Sequence, residues 1–255
     1  MWQSYWDDPW VLSDWPLLRR RNLTGADVRV HPTDDGIAVR IPADGYASVL
    51  LAGEQAAEVL GDQVSRDVDR ILVMGSVHPR VLDRLGELGY ERRRAWDWYS
   101  LDEEVTAAES GLERLEDQAE VHALLLSAYP LADRRTTTGG RWWGIHRDGV
   151  LVAAGAADTW RGQRVDGAVD WNSHVRSFTV HRDYRGEGIG AAAFRQMLAE
   201  EWRRTEWVQW STWSDATDTS GLMRSLGVSP VMTVTNFRPV GQASSPTGYP
   251  GAETA

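Results

Sequence analysis

The chain contains no cysteine and no lysine. Without cysteine there is no disulfide framework, no thiolate zinc site and no cysteine nucleophile. All 27 basic residues are arginine, which excludes Schiff-base chemistry and the phosphate-loop lysine of nucleoside triphosphatases. Basic residues are outnumbered by 37 acidic ones, for a formal charge of −10. That balance argues against a general nucleic-acid or anionic-membrane binder and leaves room only for a local basic patch. Long apolar runs are missing too: stretches such as Ile71–Met74 and Val150–Ala154 fall far short of a membrane span. The start, Met1 to Asp8, lacks the basic-then-apolar pattern of a secretory signal, so a cytoplasmic location is expected. His31, His78, His122 and His146 are scattered without metal-ligand spacing, and no metal is expected.

What is present suits a folded protein. The 255 residues are 42% apolar and 25% charged, enough for one large domain or two small ones. Fourteen tryptophans point either to core and interface packing or to an aromatic-lined pocket. Trp2, Trp6, Trp10 and Trp15 read as a strap across the body. Gly36–Ile41 and Tyr46–Ala52 read as strands, 53–64 as a helix, Arg70–Val77 as a buried strand, Pro79–Leu88 as a helix stopped by Gly89, and Tyr90–Leu101 as a strand. The acidic stretch Leu101–Ser110 is a candidate linker. Beyond it come a helix over Glu116–Ala128 and a hairpin turning at Arg147-Asp148-Gly149. A strand over Ser173–His181, a helix over Ile189–Arg204, a strand over Glu206–Trp213, a helix over Thr219–Leu226 and a strand over Val231–Phe237 follow. The Ser-, Pro- and Gly-rich 242–255 reads as a disordered tail.

The chemistry concentrates in Val180-His181-Arg182-Asp183-Tyr184-Arg185-Gly186-Glu187-Gly188-Ile189-Gly190-Ala191, between a strand and an amphipathic helix. Three glycines let successive N–H groups turn toward one point. Together with the positive end of the helix they form a seat for a phosphate or diphosphate, and Arg185 adds a permanent charge at the rim. A bare glycine turn would not need the strand before it and the helix after it. A dinucleotide fingerprint matches the letters Gly186, Gly188 and Ala191, with Glu206 twenty residues on. However, the charged run from Arg182 to Arg185 separates the strand from the glycines, and Glu206 precedes its strand.

This motif resembles the acyl-CoA pyrophosphate loop of the GNAT superfamily of N-acyltransferases, and the order of elements from Gly111 to Pro239 is similar as well. The resemblance implies an α/β (α+β) fold: a mixed, mostly antiparallel sheet flanked by helices. It also implies that Phe178, Thr179 and Val180 run alongside acetyl-CoA, with Arg185, Gly186, Glu187, Gly188, Ile189, Gly190 and Ala191 around its diphosphate. Gly86-Glu87-Leu88-Gly89-Tyr90 repeats the pattern of Arg224-Ser225-Leu226-Gly227-Val228, but no glycine loop precedes it. Two similar halves are therefore expected: 1–105 as a degenerate copy, 106–240 as the acyltransferase domain and 241–255 as a tail; an unrelated cap is the alternative.

Two positions depart from the family pattern. Where many members carry the carboxylate base stand Arg176 and Ser177, and where a tyrosine often protonates the leaving thiolate stands Met223. His174 and Asp170 are the nearest candidate bases, although either could be a structural residue of a turn. Thr219 and Ser220 are nearby hydroxyls, and Asp215 and Asp218 are either caps or the lining of an acceptor pocket. Arg134–Gly140 is either an acceptor loop or a connection. The expected function is transfer of an acetyl group from acetyl-CoA to a primary amine of a small molecule, cationic or aromatic. The alternative is a non-catalytic acyl-CoA-binding sensor or partner-binding module. No nucleic-acid or membrane partner is expected, and the sequence does not specify an oligomeric state.

Overall fold

The computed structural model describes residues 3–4, 29–43, 46–53, 55, 68–101, 103–128, 139–163 and 169–241. The tryptophan strap, most of the 53–64 helix, Arg134–Thr138 of the polar loop and the 242–255 tail lie outside the described residues.

Among the described residues twelve strands join in a single sheet. In chain order they are β1 (Gln3–Ser4), β2 (Arg29–Thr33), β3 (Gly36–Ala43), β4 (Tyr46–Ala52), β5 (Val68–Met74) and β6 (Tyr90–Leu101), then β7 (Glu113–Leu115), β8 (Arg141–Arg147), β9 (Val150–Gln163), β10 (Val169–Val180), β11 (Val208–Trp213) and β12 (Met232–Pro239). The helices are α1 (Pro79–Glu87), α2 (Gln118–Ala128), α3 (Ile189–Thr205) and α4 (Thr217–Leu226). Helix starts and stops follow local chemistry. His78 caps α1, with Pro79 at its first position. Asp117 Oδ1 accepts from the Ala119 amide at 2.8 Å ahead of α2. Gly227 closes α4 in the left-handed conformation. The β8–β9 hairpin turns on Asp148 and Gly149, at φ 51° and 76°, as an Asp-Gly turn should. The residues from Asp170 to Ser173 are not a turn: they lie within β10, with Asp170 paired to Gly162.

The sheet order is β1-β2-β3-β4-β5-β12-β6-β11-β10-β9-β8-β7. Two pairs are parallel, β4 with β5 and β10 with β11; the rest are antiparallel. At the centre, the last strand of each half lies against the other half. β12 pairs with β5 through Val234–Phe237, and β6 pairs with β11 through Trp96–Leu101. The two crossing strands then pair with each other. A hydrophobic cluster around Val49, Leu51, Ile71, Val81 and Leu85 fills the first half. A second, around Tyr99, Val175, Phe194, Met197 and Trp210, sits beneath α3 and α4. The 103–112 segment belongs to that second core, since Val105 and Leu112 pack on it and Ser110 bonds Gln196 through both its amide and its hydroxyl. It is a fastened crossing, not a loose linker.

One buried charge ties α3 to the sheet. Glu201 is 0% exposed. It accepts from Arg141, from the Ser173 hydroxyl at 2.6 Å and from the Trp143 indole at 2.8 Å. Burial alone would raise its pKa, but the hydrogen bonds from Arg141, Ser173 and Trp143 outweigh it and hold the carboxyl below its ordinary range. The stabilisation is therefore present above the carboxylate's ordinary pKa and is lost as pH falls through the lowered value. Glu201→Ala leaves Arg141 buried without its partner and should cost about 3–5 kcal/mol. At about 2–4 °C per kcal/mol for a chain of this size, scanning calorimetry should show a fall of roughly 6–20 °C at neutral pH and a smaller one in acid.

Candidate active site

β10 and β11 pair over only three positions, from Ser173 with Val208 to Val175 with Trp210. The cause is a bulge in β10. Its register with β9 shifts between Arg176 and Thr179, and Ser177 sits at φ 54°, the left-handed region. An extra residue bends a strand and breaks its ladder. Gly155, opposite the bulge, makes room for it: a Cβ there would lie 2.8 Å from the Phe178 ring and 3.0 Å from Met197 Sδ. Past the bulge the parallel strands part and open a cavity of about 120 Å³. Its walls are Arg176, Ser177 and Phe178 from β10, Trp210, Thr212 and Trp213 from β11, and Thr219, Leu222 and Met223 from α4. On the β11 side, Phe178, Thr179 and Val180 have no ladder partner among the described residues, an edge onto which an extended ligand can add like a strand.

At the end of that edge is the glycine loop. After one 3-10 turn, Arg182–Tyr184, the chain passes Arg185, and Gly186 and Gly188 take φ 83° and 79°. Gly188 is the N-cap of α3, and no side chain caps the helix. The first-turn N–H groups of any helix have no acceptor within it. Here they open next to two glycines with no side chain, which leaves an anion seat at the positive end of a 17-residue helix. Arg185 is exposed and donates to the Val180 carbonyl at 3.2 Å, beside that seat. Glu187 points its charge at Arg147, 3.4 Å away. The residues expected for cofactor binding, Phe178 to Val180 and Arg185 to Ala191, thus form one continuous edge and cradle. They fit an arm with amide groups ending in a diphosphate.

The residues considered for proton transfer are placed differently. His174 is 1% exposed and stacks on Trp98, with ring centroids 5.7 Å apart and planes 6° apart. Its neighbours Val175 and Arg176 line the cleft; His174 does not. Asp170 lies four residues earlier on β10, and its side chain is outside the described residues. Arg176, at one of the two usual base positions, donates Nε to Asp158 Oδ2 at 2.5 Å and its terminal nitrogen to the Gly139 carbonyl at 3.3 Å. Met223 is indeed in the wall, and its sulfur accepts the Trp210 indole N–H at 3.2 Å. Thr219 lines the cleft, whereas Ser220 bonds back to Ala216 in its own helix. Tyr99 stacks flat on Trp210 at 5.2 Å; burial, the largest influence, raises its pKa above the ordinary phenol value.

Asp215 is 61% exposed and held by Arg94 at 2.5 Å; the Arg94 hydrogen bond keeps its pKa below the ordinary range. Asp218 is in the first turn of α4. Sequence reasoning missed Trp213, Asp158 and Arg94, which reach the site only through strand pairing. No group of three or more residues suited to a metal occurs among the described residues. No helix there is long and apolar enough to cross a membrane.

A parallel strand pair split by a bulge, leading into a glycine loop at a helix N-terminus, is the arrangement of an acyl-CoA-dependent acyltransferase. The chain belongs to the Acetyltransferase (GNAT) family, whose pattern matches residues 94–226. That match begins inside β6 and covers the split strands, the loop and α4. Solved structures repeat the fold at low identity. One is a GCN5-related N-acetyltransferase from Kribbella flavida (15% identity, TM-score 0.51, covering 91% of this chain and 95% of that one). Another is a GNAT-family acetyltransferase from Colwellia psychrerythraea (13%, 0.52, covering 83% and 84%). A third is a Drosophila protein (16%, 0.53, covering 92% and 90%). No curated protein matches the sequence.

The loop geometry makes a direct prediction. A ligand at a hundred times its dissociation constant stabilises the folded state by about 2.7 kcal/mol, so saturating acetyl-CoA should raise the melting midpoint by roughly 5–10 °C. Gly188→Ala puts a Cβ at φ 79° beside the seat. It should cost about 1–2 kcal/mol in the unliganded protein and remove most of the acetyl-CoA shift in a thermal melt.

Proposed function

We propose that this protein transfers an acetyl group from acetyl-CoA to a primary amine of a small molecule. The carrying observation is the continuity of the split strand edge at Phe178–Val180 with the glycine cradle at Arg185–Ala191. The thioester supplies the activated acyl group. The chain's own residues bind and orient it: the free edge of β10 holds the arm, and the loop amides and Arg185 hold the diphosphate. Phe178, Phe194 and Trp210 exclude water from the cavity. The amine enters on the Arg176 and Trp213 side of the split. Attack forms the C–N bond and breaks the C–S bond; CoA leaves as the thiolate, and the amine's proton passes through water at the cleft mouth to give the free thiol.

His174 and Asp170 are the candidate bases for that proton, acting through water. Burial against Trp98 favours a packing role for His174. On that reading His174→Ala lowers the melting midpoint but leaves the acidic limb of the kcat/KM profile between pH 6 and 9 in place. Disappearance of the limb would make His174 the base. A second reading, a non-catalytic acyl-CoA-binding sensor, is favoured by the ion-paired Arg176 and the thioether of Met223 at the usual base and acid positions. Release of free thiol from acetyl-CoA with a panel of amines decides between the two; binding without any thiol release would establish the sensor.

We also propose that the chain is a tandem of two related halves, 1–105 and 106–240, located in the cytoplasm, with only the second half binding CoA. Support comes from the repeated order of a parallel strand pair, a glycine-capped helix and a last strand. Support for a single site comes from the glycine cradle, which only the second half's sequence contains. Calorimetric titration should give one CoA per chain.

A further inference from the structure

The acceptor side of the cleft is built around one indole held from several directions. Trp213 ends β11 and lines the cavity. The Arg94 guanidinium lies over its ring at 4.3 Å. Trp96 meets it edge-on, with centroids 6.2 Å apart and planes at 82°, and the two residues are register partners across β6 and β11. Arg94 is fixed in turn by Asp215, which accepts from its Nε at 3.1 Å and from its terminal nitrogen at 2.5 Å. An aromatic side chain locked in this way loses little further freedom when a ligand packs on it.

Two of the carboxylates nearby are already taken. Asp215 is bound by Arg94 and Asp158 by Arg176, so neither is an open counter-charge for a multiply charged acceptor. The rest of the wall carries no carboxylate: Val175, Phe178, Leu222 and Met223 are apolar, and Ser177, Ser211, Thr212 and Thr219 add only neutral hydroxyls.

Building on the acetyltransferase reading, we propose that Trp213 is the platform that selects the acceptor, and that the acceptor is a primary amine carried on a flat aromatic body. Arg94 and Trp96 are positioning residues for this platform. Both come from β6, so the first half of the chain shapes the specificity of the second.

The test compares 2-phenylethylamine with spermidine. In protein saturated with CoA, calorimetry reads amine binding whether or not transfer follows, and thiol release reads kcat and KM. Wild-type protein should bind 2-phenylethylamine at least about tenfold more tightly than spermidine. Trp213→Ala should raise the dissociation constant and KM for 2-phenylethylamine about 2- to 13-fold, the range for an aromatic pair. In that variant kcat should stay within about twofold and the acetyl-CoA melting shift should be unchanged; Trp213→Phe should recover most of the loss. Tighter binding of spermidine, or an unchanged dissociation constant in Trp213→Ala, overturns the assignment while leaving the acetyltransferase reading intact. Absence of any acetyl-CoA melting shift in the wild-type protein would instead remove that reading, and the platform with it.

Discussion

The site depends on a single interruption of a strand. Two parallel strands deep in a sheet would normally pair along their whole length, because every unpaired amide buried beside a neighbour is costly. The extra residue at Ser177, held at φ 54°, makes that impossible beyond Val175. What the ladder loses becomes an unpaired edge beside a cavity, between elements that otherwise belong to a closed core. Gly155 permits the bulge by leaving space for Phe178, and Phe178 packs on Phe194 with ring centroids 4.8 Å apart. The bulge is therefore anchored by core packing. The glycine loop begins where the edge ends, so strand edge, loop and helix N-terminus follow one another in a continuous line.

A second constraint acts on the scale of the whole chain. β6 and β12 cross at the centre of the sheet, β6 pairing with β11 and β12 with β5, so the single sheet is closed by strands from both ends of the chain. The crossing buries Trp98 and Tyr99 against β11 and places Trp96 and Arg94 beside the cleft. It also accounts for the family match beginning at residue 94, ahead of the acidic stretch that looks like a boundary. Ser110, Val105 and Leu112 fasten that stretch across α3, which leaves little freedom between the halves.

Two ionic clusters lie away from the cleft. Glu201 satisfies three donors at the far end of α3. His146 on β8 bridges Glu113 of β7 at 2.5 Å and Glu120 of α2 at 3.0 Å; its hydrogen bonds to Glu113 and Glu120 raise its pKa. These contacts set the orientation of α3 and α2 on the sheet. The cavity wall keeps mainly aromatic and aliphatic groups, with its charged groups already paired.

The elements and the glycine loop were readable from sequence because both are local. Helices α1, α3 and α4 show apolar spacing, glycines follow α1 and α4, the Asp-Gly turn announces its hairpin, and the loop's glycines lie within five residues of one another. Family resemblance added the sheet's general character. The order of strands at the centre was not readable, because pairing partners are chosen by tertiary packing and nothing in β6 or β12 alone names its neighbour. The same limit hid Trp213, Arg94 and Asp158, which meet the cleft across strands far apart in sequence. It also made His174 look like a turn residue open to solvent, although it lies in mid-strand under Trp98. Composition and short-range pattern determined which segments become strands and where an anion can sit. Only the folded sheet, by breaking one ladder and crossing two strands, decided which side chains line the opening.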